Sequence, residues 1–311
     1  MTAPAAVSAA RRREEIARGL VGRRRELELV LAAVTAGRDV LLEGPPGTSK
    51  STILRGITAC WGVPFVLVEG NADLTPAKLV GHHNPARVLK EDYSAANFVP
   101  GPLISAMETG GFLYIEELNR APEDTLNTLL GAMAERQVAL PRVGTITAVD
   151  TFRVLASMNP YDNVGTARIS ASVYDRWCRL ALDYQSAEEE AAIVAVRTGS
   201  ADTALIADAV ALTRATRTHP DLRRGASVRG AIDLVSIAEA LTALHAEVDP
   251  PAAGNGCGSD DDPAYRGRVL DAAHLALSAR IALDETTDTT AETVITELWE
   301  RLRSGGSPAS A

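Results

Sequence analysis

The chain has 311 residues, of which 46% are hydrophobic and 23% charged, and its formal net charge at pH 7 is −9. This length is enough for one large domain with a smaller one, or for two coupled subdomains. The negative charge gives no general attraction to nucleic acid, and no run of about eighteen apolar residues predicts a membrane span.

The N-terminal residues 1–18 predict a flexible lead-in, with small residues first and an Arg/Glu-rich stretch after them. They lack a signal-peptide pattern, because the arginines Arg11 to Arg13 follow the apolar residues instead of preceding them. The three cysteines lie far apart in the sequence, which argues against a disulfide framework and a zinc site. We therefore expect a cytoplasmic protein with reduced thiols.

Strand-like and helix-like segments alternate from residue 19 to 185. The predicted strands are short and apolar without clean alternation, which is typical of strands buried on both faces. They are Asp39–Glu43, Pro64–Glu69, Gly111–Glu116, Thr151–Ser157 and Arg179–Asp183. Helical patterns such as Ser51–Trp61 and Glu123–Glu135 lie between them. The alternation predicts an α/β fold, a parallel sheet sandwiched by helices, with ligands at the carboxyl ends of the strands.

Residues 186–303 predict an all-α subdomain. Its predicted helices are Ser186–Thr198, Thr203–Thr216, Arg229–Glu247, Arg266–Leu283 and Ala291–Leu302. The stretch 249–263 is too polar and glycine-rich to pack, so we expect a surface loop there, and residues 304–311 predict a disordered tail.

A glycine-rich loop, Gly44-Pro-Pro-Gly-Thr-Ser-Lys-Ser51, follows the first predicted strand. Such a loop between a strand and a helix points backbone N–H groups and a helix N-terminus at a polyphosphate. Lys50 would reach the β and γ phosphates, and the Ser51 hydroxyl would hold Mg²⁺. The predicted nucleotide-binding set within the loop is Gly44, Pro45, Pro46, Gly47, Thr48, Ser49, Lys50, Ser51 and Thr52. The alternative is a Gly/Pro turn that happens to precede Lys-Ser.

Ser49 stands where this pattern usually has a second glycine. Because serine is small, we expect it to leave room for the phosphate.

Two adjacent carboxylates, Glu116 and Glu117, end the third predicted strand. A phosphate loop that hydrolyses its ligand needs a metal-binding carboxylate and a base near the attacking water, both at the end of a neighbouring strand. We assign Glu116 to the metal and Glu117 to the water. The alternative is a pair of acids that only caps the following turn.

Asn159 ends the fourth predicted strand, directly before Pro160. An asparagine there can hydrogen-bond both the γ-phosphate and the water, whereas a purely structural Asn-Pro turn is the alternative. Two arginines complete the set, since guanidinium groups brought in from outside the loop stabilise charge on a transferring phosphoryl group. Arg176 precedes the last predicted strand, and Arg229 opens a helix of the all-α part.

The order of these motifs resembles that of an AAA+ ATPase, and within that superfamily the MoxR branch. The segments that carry the resemblance are the phosphate loop, Ile115-Glu-Glu-Leu-Asn-Arg-Ala-Pro122, Met158-Asn-Pro160, Asp175-Arg-Trp177, Gly225-Ala-Ser-Val-Arg229 and the MoxR-like Phe98-Val-Pro-Gly-Pro-Leu103. The resemblance covers about residues 19–240. It implies a P-loop NTPase-type fold with a helical lid, and an ATP hydrolase that uses Mg²⁺.

The resemblance also implies roles for individual residues. Glu116 and Glu117 match the Walker B pair, although the first position is usually an aspartate, a change that can slow turnover. Asn159 matches sensor 1 and Arg229 matches sensor 2. Arg176 matches the arginine finger that acts on a neighbouring subunit, with Arg168 as a rival. Val21 and Gly22 resemble the segment that packs against adenine.

A finger that acts in trans implies a homo-oligomer, typically a hexameric ring. The resemblance further implies that Gly81–Asn97 is an insertion near the pore and that Pro141–Asp150 is a short hairpin. Relatives of this branch resemble chaperones that remodel a client protein, often beside a von Willebrand A-domain protein. Two alternatives stay open: a motor on nucleic acid, which the few basic residues of the insertion support only weakly, and a nucleotide-dependent scaffold with little hydrolysis.

Overall fold

A computed structural model describes residues 9–91, 94–160, 171–248 and 262–304. The chain divides into two compact units between Asp183 and Tyr184. The strands of the first unit are β1 (Val40–Glu43), β2 (Phe65–Glu69), β3 (Gly81–His83), β4 (Phe98–Pro100), β5 (Phe112–Glu116), β6 (Gln137–Leu140), β7 (Gly144–Thr147), β8 (Arg153–Met158) and β9 (Cys178–Ala181). Its helices are α1 (Ala9–Ala17), α2 (Arg24–Thr35), α3 (Lys50–Trp61), α4 (Pro76–Val80), α5 (Pro85–Glu91), α6 (Pro102–Thr109), α7 (Glu123–Glu135) and α8 (Ala171–Tyr174).

Five strands form one parallel sheet in the order β2-β5-β8-β1-β9. These are the five strands that the sequence predicts, with bounds that differ by at most two residues. The central strands are apolar because both of their faces are covered: every residue of β1 is buried, and so are the first four residues of β5. The predicted α/β fold is confirmed.

Alternate residues of the central strands face two different cores. Leu113 and Ile115 of β5 belong to a core shared with α6 and α7. Phe112 and Tyr114 belong to the opposite core, which includes residues of α1, α2 and α3. Helices therefore cover both faces of the sheet, as a parallel sheet requires, and β1 and α3 are the elements directly before and after the glycine-rich loop.

The prediction of a flexible lead-in is wrong for residues 9–17, which form helix α1. Ile16 is only 5% exposed and packs in the core beside α2 and α3. Ile16 is the one large apolar residue of α1, and the residues directly before it are arginines and glutamates. A single apolar residue gives no helical periodicity from which the sequence could predict burial.

The first unit also contains two small antiparallel pairs that are separate from the main sheet. Strands β6 and β7 pair from Gln137↔Thr147 to Leu140↔Gly144. The predicted hairpin Pro141–Asp150 is therefore present but begins earlier and ends sooner. Strand β3, at the start of the predicted insertion Gly81–Asn97, pairs with β4, which directly follows the insertion, and helix α5 lies between the two strands in the chain.

The second unit is mainly helical. Its helices are α9 (Ala187–Thr198), α10 (Thr203–Ala215), α11 (Val228–Val248), α12 (Pro263–Leu277) and α13 (Ala291–Arg303), and its short strands are β10 (Leu222–Arg224) and β11 (Ala282–Leu283). Local signals set several of the bounds. Ser186 and Glu189 form a capping box at the start of α9, and Gly199, with φ +73°, ends it.

The predicted helix Arg266–Leu283 is wrong at both ends. Helix α12 begins at Pro263, capped by Asp262, and stops at Leu277. The residues after it turn into β11, which pairs with β10. Apolar residues such as Ile281 continue the hydrophobic pattern past the true end of the helix, so the pattern alone could not locate the stop.

Most of the predicted loop 249–263 and of the predicted tail 304–311 lies outside the described residues. None of the described helices is both long enough and apolar enough to cross a membrane.

Candidate nucleotide-binding site

The glycine-rich loop connects the carboxyl end of β1 to the first turn of α3. Gly44 and Gly47 have φ of +155° and +79°. A Cβ at Gly44 would lie 2.2 Å from the carbonyl oxygen of Leu182, so only glycine allows the loop to pass this close to the end of β9. The buried Thr48 donates a hydrogen bond from Oγ1 to the Pro45 carbonyl, at 2.9 Å, which closes the loop on itself.

Ser49 adopts a left-handed backbone conformation, with φ +66° and ψ +16°. The usual glycine at this position therefore supplies backbone freedom, and not only space for the phosphate as the sequence reasoning assumed. A non-glycine residue in this conformation costs about 1–2 kcal/mol. The strain lies directly at the start of α3, at a point where phosphate loops bind their ligand.

The N-terminus of α3 carries neither a side-chain cap nor an acidic residue in its first turn. Such a helix end presents N–H groups and the positive end of the helix dipole, which suit an anion. Lys50 Nζ lies 2.6 Å from the Gly44 carbonyl oxygen and 2.8 Å from that of Pro45. The lysine is thus held over the loop, where a phosphate could exchange for these carbonyl contacts.

Ser51 and Glu116 meet across the site, since the Ser51 hydroxyl donates a hydrogen bond to Glu116 Oε1. Arg55, one turn further along α3, lies 3.6 Å from Glu116 Oε2. The described residues contain no cluster of three or more His, Cys, Asp or Glu side chains that could hold a metal. One hydroxyl and one carboxylate nevertheless fit Mg²⁺, which binds through few protein ligands and takes the rest from phosphates and water.

Glu117 follows in a left-handed turn with φ +56°. Its carboxylate forms an ion pair with Arg120, in which Nε lies 2.9 Å from Glu117 Oε2, and about two fifths of each side chain is exposed. The backbone at this turn passes close to Gly70, where a Cβ would lie 2.2 Å from the Glu117 carbonyl oxygen. The turn therefore separates the two carboxylates, with Glu116 directed to Ser51 and Glu117 to the surface beside it.

Asn159 directly follows β8, which lies between β5 and β1 in the sheet. Strand order thus places it between Glu116 and the glycine-rich loop. Asn119 Nδ2 donates a hydrogen bond to the Asn159 carbonyl oxygen at 3.0 Å. Asn119, which is 6% exposed, thereby connects the turn after Glu117 to the end of β8.

Val21 and Gly22 precede α2, and Gly22 has φ +66°. The next residue, Arg23, is also left-handed and is 8% exposed. Its guanidinium pairs with Glu26 at 3.1 Å and donates to the carbonyl oxygen of Asp183 at the end of the first unit. This contact fixes the predicted adenine segment to the chain that follows β9.

Arg176 lies at the opposite edge of the sheet, just before the amino end of β9. Its Nη1 donates to the Leu130 carbonyl oxygen at 3.3 Å. It lines a cavity of about 770 Å³ together with Arg38, Arg136, Arg153, Asp39, Asp150 and Asp175. Burial raises the pKa of Asp39 in this cavity above its ordinary value. Arg176 is therefore not brought together with Lys50, Ser51 and Glu116 of the same chain.

Arg229 is exposed in the first turn of α11 and belongs to the second unit. Arg168, the rival finger, lies outside the described residues.

Sequence reasoning assigned no role to three residues of the site, each of which has a partner distant in sequence: Glu43, Arg55 and Asn119. Only Glu43 carried a signal. A carboxylate ending a fully apolar run directly before a phosphate loop is unusual, because charged residues are rarely fully buried unless paired.

Comparison with known proteins agrees with this geometry. Residues 39–177 match the AAA domain of the dynein-related subfamily. The chain is 28% identical over 239 residues to the gas vesicle ATPase GvpN of Ancylobacter aquaticus, which covers 71% of this chain and 66% of the relative. It is 32% identical over 170 residues to protein MoxR of Methylorubrum extorquens, over 55% of this chain and about half (48%) of that relative. A Thermotoga maritima RuvB structure shares the fold, with a TM-score of 0.51 and 16% identity over 82% of this chain and 71% of that one.

The parallel sheet, the glycine-rich loop and the matched domain define an AAA+ protein, a class whose members are generally nucleotide hydrolases. The relatives named MoxR and GvpN, together with this domain, support a MoxR-family AAA+ ATPase.

Proposed function

We propose that this protein binds ATP with Mg²⁺ and hydrolyses the β–γ phosphoanhydride bond at a site shared between neighbouring copies. We further propose that the copies form a ring, with six as the expected number, and that the ring remodels a partner protein in the cytoplasm. The observation that carries this proposal is the contact between Ser51 and Glu116 beside Lys50, at the carboxyl edge of the sheet, while Arg176 lies at the other edge.

We call the glycine-rich loop, the N-terminus of α3 and Lys50 the phosphate cradle, and its parts would make different contacts. The loop from Gly44 to Ser49 and the N-terminus of α3 would hold the phosphates through backbone N–H groups, and Lys50 would add a positive charge. Thr52 lies in the first turn of the same helix. Val21 and Gly22 would contact the base. Mg²⁺, when bound, neutralises phosphate charge, and Ser51 and Glu116 are the residues that would hold it.

Glu117 would accept a proton from the attacking water. For this its carboxylate must leave the ion pair with Arg120, which is partly exposed and is therefore worth only a fraction of a kcal/mol to about 1 kcal/mol. Asn159 would orient the water from the adjacent strand. The same turn that separates Glu116 from Glu117 thus lets one carboxylate serve the metal and the other serve the water.

The two arginines would supply positive charge to the transition state from outside the loop. Arg176 would do so from a neighbouring copy, because its own chain places it at the far edge of the sheet from Lys50. Arg229, on the helical unit, would report the nucleotide to that unit, and its movement would be passed to the client. The β3–β4 pair and the β6–β7 hairpin are the elements that we propose contact the client.

The class of partner rests on family membership alone. From the resemblance to the MoxR branch we propose a client protein, together with a von Willebrand A-domain protein as the accessory partner. The net charge of −9 disfavours a nucleic-acid partner.

ATP turnover and assembly test the proposal together. Purified protein should retain ATP in the presence of Mg²⁺, release phosphate, and shift to a ring-sized species in light scattering when nucleotide is added. Turnover that needs added DNA would favour the nucleic-acid motor instead. Nucleotide-driven assembly without phosphate release would favour the scaffold, and neither binding nor assembly would contradict the proposal as a whole.

A further inference from the structure

Glu43 is a buried carboxylate directly before the glycine-rich loop. The residue is 1% exposed, at the carboxyl end of a strand whose other residues are all apolar. Burying an unpaired carboxylate costs several kcal/mol, so an acid in this position requires a partner. Its partner is Arg179, whose Nε lies 2.5 Å from Glu43 Oε2.

Arg179 belongs to β9, only three residues after Arg176. Its guanidinium also lies 5.9 Å from the ring centroid of Tyr174, the last residue of α8. Burial raises the pKa of Tyr174 to about 12, and the neighbouring Glu43 carboxylate adds to the shift. The phenol, which is neutral at physiological pH even without this shift, lies beside the ion pair.

Residues 174–177 form a tight turn directly before β9. The Trp177 N–H donates to the Tyr174 carbonyl oxygen at 3.1 Å, and Trp177 itself is buried. Arg176 is therefore carried on a turn with Tyr174 on one side and Arg179 on the other, both next to Glu43. At the other end of β9, the Leu182 N–H donates to the Glu43 carbonyl oxygen at 2.7 Å.

We propose that Glu43 is a positioning residue for Arg176: through Arg179 it holds the turn that presents the finger to the neighbouring copy. The inference rests on the proposed function, because it needs Arg176 to act in trans. Since Glu43 is almost fully buried, it cannot touch a neighbouring subunit, and any effect of its charge on a neighbour's site must pass through its own chain. Glu43 would thus link the start of the glycine-rich loop in its own chain to Arg176, which acts on the phosphate loop of the neighbouring copy.

The test separates subunits that donate a finger from subunits that receive one. Arg176→Ala subunits keep their own phosphate loop and serve as receivers. Glu117→Gln subunits bind ATP without turning it over and serve as donors. Phosphate release by the mixture then measures the donated finger, and the experiment adds a second substitution to the donor only.

Donors that also carry Glu43→Gln are expected to lower the kcat of the mixture at least fivefold without changing KM, because the receiving sites are untouched. Arg179→Gln donors should reproduce the loss. Because Arg179 is half exposed, this variant keeps the test valid if the protein with the buried Glu43→Gln substitution fails to fold. Arg179→Lys is the matched control, since it keeps a charge for Glu43 and should retain most of the rescue. Donor melting temperature and ATP affinity are measured in parallel.

Rescue by both Gln donors at the level of the parent donor would overturn the inference while leaving the proposed function intact. An equal loss with Arg179→Lys would also overturn it, because the charge pair would then not be what matters. If even the parent Glu117→Gln donor fails to rescue Arg176→Ala, action in trans is itself refuted and the proposed function fails first.

Discussion

At the carboxyl edge of the five-stranded sheet, one chain brings together Lys50, Ser51 and Glu116 with no help from another copy. At the amino edge, Arg176 of the same chain lines a cavity with three more arginines, away from the glycine-rich loop of that chain. Because the strands are parallel, the two edges cannot meet within one sheet. The comparison shows that one chain can assemble the residues proposed for binding, and it places the proposed finger away from them; under the proposed function, transition-state stabilisation therefore requires two copies.

The largest expected effect comes from the amino edge. Arg176→Ala should lower kcat by about 10³-fold or more, as loss of an arginine finger does in other NTPases. ATP affinity should stay near wild type, because the substitution leaves the carboxyl edge intact. Steady-state phosphate release and equilibrium binding of a fluorescent ATP analogue measure the two effects. Arg38→Ala, on the same cavity wall, is the matched control, and an equal loss there would show that the finger is misassigned.

Glu117→Gln tests the carboxyl edge without removing its ligand contacts. The amide cannot accept a proton from water, so turnover should fall by roughly 10²–10⁴-fold. Bound ATP should persist through gel filtration in Mg²⁺. Normal phosphate release from this variant would contradict the assignment of the base.

Lys50→Ala should weaken ATP binding by about 100-fold, which corresponds to ~2.7 kcal/mol of lost charge-assisted contact. Titration calorimetry measures this loss. Lys78→Ala is the matched control, because it removes an exposed lysine of α4 that lies outside the site. Unchanged affinity in Lys50→Ala would remove the cradle assignment.

The smallest expected effect is an increase in the free energy of unfolding. Ser49→Gly relieves the left-handed serine, and after the added freedom of the unfolded chain is subtracted the net stabilisation should be up to about 1 kcal/mol. The melting temperature of the protein should rise by a few degrees. Ser94→Gly is the control, because Ser94 has an ordinary φ of −96° and glycine there should give no gain. A lower melting temperature for Ser49→Gly would contradict the strain.

The sheet could be predicted because its strands are short apolar runs, and the loop because its residue types follow from the needs of phosphate binding. Three features could not be predicted for physical reasons. The φ of Ser49 depends on how the loop joins α3, and the burial of Glu43 depends on a strand more than a hundred residues away. Helix α1 depends on one anchor, Ile16, that only the folded core makes visible.

The position of Arg229 relative to the loop is a different case, because it is set by how the two units meet. Its role as a sensor stays a prediction from family resemblance.

An equal mixture of Lys50→Ala and Arg176→Ala subunits tests the shared site most directly. The first variant keeps the finger but lacks the lysine of the cradle, and the second keeps the cradle but lacks the finger. The mixture should release phosphate well above the sum of the two variants measured alone, because some interfaces pair an intact cradle with an intact finger. Phosphate release equal to that sum, in assemblies shown to contain both variants, would contradict a site built by two copies.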